Sequence, residues 1–167
     1  MLFSLAFPNA KNKVFKVFNE IEDSVLSKEV NAGVIIHENR FTYHLKGLHR
    51  LMDLGEYWEN KTASPIPLGG IVAKRNLNIS LIKKVDKLIR QSIEHAFGYN
   101  STGLSSYIKE HAQEMSETVM HQHINLYVNN YSNELGKEGK KAVMKLIEVY
   151  SQLHSKIQIN KENIFIN

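Results

Sequence analysis

Apolar residues recur at helical spacing along most of the chain, and this spacing predicts several amphipathic helices. One helix is expected over about residues 10–29 and a short one over 54–60. Two more begin at the capping residues Ser80 and Ser116, with further helices over about 104–115 and 138–154. The helix after Ser80 has an apolar face formed by Leu81/Ile82, Val85, Leu88/Ile89, Ile93 and Phe97. The pattern therefore predicts a helix-rich protein.

Two short apolar runs predict β-strands. Residues 33–36 form a β-branched run suited to a strand that is covered on both faces. Residues 69–73 follow two prolines that force an extended path, and their paired glycines predict close backbone contacts. The tail, residues 156–167, is expected to be an edge strand or a loose end. Since a parallel sheet needs several strands joined by crossovers, we expect that most of the sheet is not encoded here and that the chain is incomplete.

The bulk composition is that of a soluble globular protein. Its 167 residues are 43% hydrophobic and 23% charged, and they include no cysteine, which excludes disulfides and thiolate-bound metals. No apolar run approaches the roughly 20 residues that a membrane helix needs. The segment Met1–Phe7 lacks the basic leader and the cleavage site of a signal peptide. We therefore expect a cytoplasmic protein without a membrane partner.

The positive charge of the chain first suggests a nucleic-acid partner. The net charge is +4 and the pI is about 9.2. The lysines, however, are interleaved with acidic residues, as on a solvated helix face; examples are Lys28-Glu29, Lys109-Glu110 and Lys137-Glu138. There is also no alternation of aromatic and basic residues of the kind that binds single-stranded nucleic acid. We expect no nucleic-acid partner.

His37 is the main candidate for chemistry because it follows the apolar run at residues 33–36. A residue there should emerge at the carboxyl end of a strand, where ligands bind in α/β proteins. An imidazole can accept a proton near neutral pH. Glu38 and Asn39 could orient the ring or a substrate hydroxyl, and Arg40 could meet an anion. Equally, His37 could simply end a strand and hydrogen-bond to a loop.

The other candidate sites have weaker support in the sequence. His121 and His123 lie two residues apart on a predicted helix and point to different sides, and no H-E-x-x-H pattern occurs, so no metal site is expected. Gly69 and Gly70 could admit a ligand against bare backbone, or they could form a tight strand entry or hinge. No nucleophile motif is present, so covalent catalysis has no support.

Several blocks taken together resemble one enzyme family. They are Ile35–Tyr43 (IIHENRFTY), Asp53–Glu59 (DLGEYWE), Pro65–Gly70 (PIPLGG), His111–Met115 (HAQEM) and Leu126–Asn129 (LYVN). The chain is similar in these blocks to the 1,4-dihydroxy-6-naphthoate synthases of the futalosine route to menaquinone. The similarity runs in order over essentially the whole chain. It departs from the usual pattern at Asn31, where aspartate is usual, and at Ala63, where glycine is usual.

The resemblance implies an α/β fold with two lobes, of the periplasmic-binding-protein-like type II, with substrate bound between the lobes. It implies that this chain is the helix-rich carboxyl-terminal part of that fold, with the first lobe largely missing. Residues 1–73 would be the remainder of the second lobe, carrying the site strand and the hinge segment. Residues 74–167 would be carboxyl-terminal helices that pack back toward the first lobe.

The implied activity is that of a lyase that converts cyclic dehypoxanthine futalosine to 1,4-dihydroxy-6-naphthoate without a metal or an organic cofactor. His37 occupies the position of the family's proposed general base. Glu38, Asn39, Arg40, Gly69 and Gly70 are the expected substrate-binding residues. The alternatives are a non-catalytic, solute-binding-like lobe and an inactive truncated remnant. Apolar faces that a first lobe would cover also favour a homo-oligomer.

Overall fold

Helices supply all the regular secondary structure in the part of the chain that the structure describes. The computed structural model describes residues 1–37, 39–99, 103–111, 116–156, 159–160, 162 and 164–165. Two 3-10 turns, Phe18–Glu20 and Tyr43–Lys46, precede α2 and follow α3. The α-helices are α1 Leu2–Ala6, α2 Ile21–Leu26, α3 Asn39–Thr42, α4 Leu54–Thr62, α5 Ile79–Tyr99, α6 Ser106–His111, α7 Glu117–Tyr127, α8 Asn130–Asn133 and α9 Gly136–Leu153.

The chain divides into two compact units. The first unit comprises Met1–Ile66 together with Lys141–Asn167. Its interior contains the fully buried Trp58 of α4 and two apolar residues of α9, Ala142 and Val149. The indole Nε1 of Trp58 donates to the carbonyl oxygen of Pro65 at 3.4 Å, so the buried ring has a polar partner. Helix α1 packs against α4.

The second unit, Pro67–Lys140, contains the longest helix of the described chain. Helix α5 packs against α8, and the apolar side chains of Leu104 and Met120 are buried. Much of the apolar face of α5 remains exposed, including Leu81, Val85 and Leu88. The long helix therefore forms as its periodicity predicts, although only part of its apolar stripe is covered within this unit.

Four of the predicted helices are confirmed. Helix α4 covers the predicted residues 54–60, and α9 matches the expectation for 138–154 within two residues. Helix α5 begins at Ile79, two residues earlier than a cap at Ser80 predicts, because Asn78 is its capping side chain: Oδ1 accepts from the Ser80 backbone N–H at 2.8 Å. Ser116 lies at the N-cap of α7, as expected, but α7 ends at Tyr127 and α8 is a separate helix.

The helix predicted over residues 10–29 is wrong in its first half. Residues 11–17 are not helical, and only the 3-10 turn and α2 occupy the second half. Val14, Phe15 and Val17 are β-branched or aromatic residues with low helix propensity, and they are 65%, 95% and 60% exposed. Since most helical stability comes from packing an apolar face, an exposed segment of this composition does not hold a helix.

Both predicted strands are wrong within the described residues. Residues 33–36 and 69–73 have no assigned strand pairing, and their apolar side chains include the exposed Val34, Ile36, Ile71 and Val72. A strand is stabilised by hydrogen bonds to a neighbouring strand, which an apolar run by itself does not supply. Among the described residues the architecture is therefore helical, and they include no strand of the expected α/β class.

Some expectations fall partly outside the described residues. Helix α6 lies within the predicted helix 104–115, but residues 112–115 are not among those described. The same holds for residues 157, 158, 161, 163, 166 and 167 of the tail, where an edge strand or a loose end is predicted. None of the tail residues that the structure does describe is assigned to a strand.

Candidate functional site

His37 lies at a turn between residues 32–36, which have no regular secondary structure, and helix α3. Its backbone is left-handed, with φ of 58°, a conformation that disfavours side chains larger than glycine. Its carbonyl oxygen accepts from the Arg40 N–H at 3.3 Å, which links the turn to the first turn of α3. The half-buried imidazole packs on the ring of Phe18, with the ring centroids 5.0 Å apart. The structure thus holds this histidine in a strained and specific position.

Gly33, four residues before His37, lies directly on helix α2. A Cβ atom built on Gly33 would be 2.3 Å from Cγ2 of Ile21 and 3.3 Å from Cγ2 of Val25. Real Cβ atoms do not come that close to a β-branched side chain, so glycine is required for this approach. The contact fixes the path by which the chain reaches His37.

Arg40 and Asp53 connect α3 to the start of α4. The Arg40 Nη2 atom donates to Oδ2 of Asp53 at 3.1 Å, and Arg50 Nη1 lies 3.7 Å from the same oxygen. The other oxygen of Asp53 caps α4 by accepting from the N–H groups of Gly55 and Glu56. A carboxylate at a helix N-terminus is stabilised by these donors, so Asp53 serves the helix cap and the Arg40 ion pair at once.

A second ion pair joins the 3-10 turn after α3 to helix α2. Lys46 Nζ lies 2.8 Å from Oε2 of Glu22, whose side chain is only 1% exposed. Contact with the Glu22 carboxylate raises the pKa of Lys46 above its ordinary value of 10.5. The partly exposed ammonium of Lys46 thereby compensates the charge of the buried Glu22 carboxylate.

The predicted binding residues are distributed over both units. Asn39 is the first residue of α3 and lies two positions after His37 in the first unit. Glu38 lies outside the described residues. Gly69 and Gly70 belong to the second unit, and both are exposed. A Cβ atom on either glycine would meet no described atom within 4 Å, so the close backbone contacts expected there are absent from this part of the structure.

A shallow cleft of about 380 Å³ lies beside the start of α4 in the first unit. Arg50, Asp53, Glu56, Tyr57 and Asn60 contribute to its lining. His37 is not among the lining residues, although Arg40 reaches the cleft residue Asp53. Among the residues whose positions are described, no group of three histidine or carboxylate side chains is arranged to hold a metal ion. No described helix is both long enough and apolar enough to cross a membrane.

Sequence reasoning missed the supporting residues of this site. Asp53 carried a recognisable signal, because an aspartate three residues before Glu56 is typical of a helix N-terminus. Gly33 was assigned to a strand rather than to a close approach on α2. Glu22 and Phe18 carried no local signal, since their partners Lys46 and His37 lie far away in the sequence.

The chain is similar to known proteins over most of its length. The sequence profile of a family described as menaquinone biosynthesis matches residues 1–152. A 1,4-dihydroxy-6-naphtoate synthase of Thermus thermophilus is 43% identical over 129 residues, which is 77% of this chain and 47% of that protein. The enzyme of the same name from Streptomyces coelicolor is also 43% identical, over 130 residues, 78% of this chain and 46% of that protein. The chain thus spans about half the length of these curated relatives.

A solved structure has a similar fold. An X-ray structure of a protein from Archaeoglobus fulgidus superposes with a TM-score of 0.83 at 28% identity, covering 93% of this chain and 58% of that one. The superposition covers nearly all of the helical architecture described above. The family profile itself extends over most of the sequence. The chain therefore belongs to the menaquinone-biosynthesis family.

Proposed function

We propose that this chain carries the proton-accepting part of a 1,4-dihydroxy-6-naphthoate synthase that acts on cyclic dehypoxanthine futalosine. Two relatives that bear the synthase name are 43% identical to the chain over more than three quarters of its length. Membership of the menaquinone-biosynthesis family supports the same pathway. The proposed enzyme is a carbon–carbon lyase that uses no metal and no organic cofactor.

The observation that carries the proposal is the conformation of His37. A histidine with φ of 58° is disfavoured, and strain of this kind is concentrated at functional sites. Its ring packs on Phe18, which restricts the directions in which the ring nitrogens can point. Orientation of this kind is what a general base requires, because proton transfer depends on the geometry between base and substrate.

In the proposed reaction, His37 accepts the proton whose removal starts the cleavage between the naphthoate and the sugar-derived part of the substrate. Arg40 is suited to an anionic group of the substrate, since a guanidinium carries several N–H donors and the contact with Asp53 uses one terminal nitrogen. Asn39 and Glu38 precede Arg40 and would contact substrate hydroxyl groups. Gly69 and Gly70 would admit the substrate against bare backbone.

The proposed enzyme has a two-lobed, periplasmic-binding-protein-like fold and works in the cytoplasm. In this proposal residues 1–73 belong to the second lobe, and residues 74–167 pack back toward the first. The share of the relatives that the chain matches, 47% and 46%, supports an arrangement in which the matched region is one part of a larger whole. The exposed apolar face of α5, with Leu81, Val85 and Leu88, supports a covering element on that helix.

A second candidate function is a non-catalytic lobe that binds a small aromatic ligand. The shallow cleft beside the start of α4 favours this candidate, because His37, the proposed base, is not among its lining residues. Incubation of the chain with cyclic dehypoxanthine futalosine separates the two. Release of 1,4-dihydroxy-6-naphthoate supports the synthase. Binding without release, measured by calorimetry, supports the binding lobe. The absence of both binding and release would contradict both candidates.

We also propose that the isolated chain self-associates. Phe15 and Val72 are 95% and 91% exposed, and Ile71 is 79% exposed. Large apolar side chains with this exposure gain free energy when a second copy covers them. Sedimentation at micromolar concentration should show a dimer or a larger species, whereas a monomer would contradict the proposal.

A further inference from the structure

Helix α2 contains a buried carboxylate to which the proposed chemistry assigns no role. Glu22 is 1% exposed, and the neighbouring Ser24 is 5% exposed. Neither carboxylate oxygen of Glu22 has a hydrogen bond of regular geometry among the described residues, and Oε2 lies 2.8 Å from the Lys46 ammonium as an ion pair. A buried charge is expensive unless it is paired, so the position of Lys46 is coupled to that of α2.

Lys46 ends the 3-10 turn Tyr43–Lys46, which follows α3 without a break. Helix α3 has only four residues and begins with Asn39 and Arg40. A helix this short has too few internal hydrogen bonds to hold itself in place. Its position therefore depends on contacts at its two ends: the Arg40–Asp53 pair at one end and the Lys46–Glu22 pair at the other.

Residues 18–26, which contain α2, also support His37. Phe18, in the turn that leads into α2, contacts the His37 ring, and Ile21 and Val25 of α2 face the backbone of Gly33. Residues 18–26 therefore contact the candidate site at three separate places along the chain. Of these three contacts, only Glu22–Lys46 is between charged groups. It joins α2 to the 3-10 turn that follows α3.

We propose that Glu22 and Lys46 are positioning residues, whose ion pair fixes residues 39–46 on α2 and thereby sets the placement of Asn39 and Arg40 relative to His37. Neither residue needs to touch the substrate for this role. The importance of the placement rests on the proposed function, but the contact itself does not. It can therefore be tested without substrate and without turnover.

The test is ¹⁵N relaxation of the 167-residue chain, compared with variants of the pair. In Lys46→Met the aliphatic stem is kept and the charge is lost. Backbone order parameters of residues 39–46 should fall from about 0.85 to below about 0.6, while those of α4 and α9 stay unchanged. Lys46→Arg should restore the order, since it restores the positive charge. Glu22→Gln should reproduce the loss if Lys46→Met does not fold.

Asp23→Asn is the matched control. Asp23 lies beside Glu22 and 3.9 Å from the same Lys46 nitrogen, but its side chain is 75% exposed. Its variant should leave residues 39–46 as ordered as in the wild type. The proposal is overturned if these residues keep their order in both Lys46→Met and Glu22→Gln. It is also overturned if both variants lose their helical circular dichroism, because the pair would then serve folding in general. Absence of naphthoate release would overturn the proposed function but would leave these order parameters unaffected.

Discussion

The imidazole of His37 lies against the phenyl ring of Phe18, with the centroids 5.0 Å apart and the planes inclined at 49°. Phe18 belongs to the 3-10 turn that leads into α2, whereas His37 lies four residues after Gly33, which approaches α2 closely. Tilted aromatic pairs at this separation attract one another. The contact therefore joins the turn that precedes α2 to His37, which follows the close approach of Gly33 to the same helix.

Replacement of Phe18 by leucine tests this relationship. The variant keeps an apolar side chain but removes the aromatic ring, so the ring-current shift of the His37 ring protons should disappear. The free energy of unfolding should fall by about 1 kcal/mol. Phe15→Leu is the control, because Phe15 is 95% exposed and should change neither quantity. Unchanged His37 proton shifts in Phe18→Leu would contradict the contact.

Gly33→Ala should destabilise the chain by about 1–3 kcal/mol, because the added methyl would overlap Ile21. The backbone at residue 33 would have to move off α2, and His37 would move with it. Gly69→Ala is the matched control, since a Cβ there meets no described atom within 4 Å. Urea denaturation of both variants measures the difference. Equal stabilities of the two variants would mean that Gly33 is not required for the approach.

Ala63 occupies the left-handed C-cap of α4, with φ of 51° and ψ of 37°. Its N–H donates to the Glu59 carbonyl oxygen at 2.8 Å, so the conformation is fixed by the end of the helix. Ala63→Gly should raise the free energy of unfolding by about 1 kcal/mol, because glycine adopts this conformation without steric strain. Ala73→Gly, at a position without positive φ, should not stabilise. A loss of stability in Ala63→Gly would contradict the cap.

The Glu22–Lys46 pair predicts a pH dependence at alkaline pH. Because contact with Glu22 raises the pKa of Lys46 above 10.5, the pair contributes stability that is fully present below that pH. The contribution is lost as the pH rises through the raised pKa of the folded protein. The difference in urea midpoint between wild type and Lys46→Met should thus be constant up to about pH 9.5 and shrink above about pH 10.5. Lys46→Arg should not show this decline, and a difference that persists to about pH 12 would contradict the pair.

The helices were predictable where a long apolar periodicity coincides with a cap. Helices α5 and α9 are long enough for their spacing to be unambiguous, and α4 begins at a polar cap residue. The helix prediction for residues 10–17 is wrong because apolar spacing alone does not supply a surface for the helix to pack on. The strands at 33–36 and 69–73 failed for a related reason: pairing depends on distant segments, which a local pattern does not reveal.

The site was predictable in part. The sequence singled out His37 and Arg40 as candidates, and the roles proposed for them stay predictions. The left-handed backbone of His37 and its Phe18 contact could not be read from the sequence, because both depend on how the chain at Gly33 approaches α2. The pairs Arg40–Asp53 and Lys46–Glu22 were likewise hidden, since oppositely charged residues are common and only the fold decides which of them meet.

The most direct test of the account is the release of 1,4-dihydroxy-6-naphthoate from cyclic dehypoxanthine futalosine by the chain and two histidine variants. His37→Gln removes the proposed base, and His44→Gln removes an exposed histidine of the neighbouring 3-10 turn. The account predicts release by the wild type and by His44→Gln, and a loss of about 100-fold or more in His37→Gln with unchanged circular dichroism. Release that persists in His37→Gln would contradict the role of His37, and no release by the wild type would contradict the activity proposed for this chain.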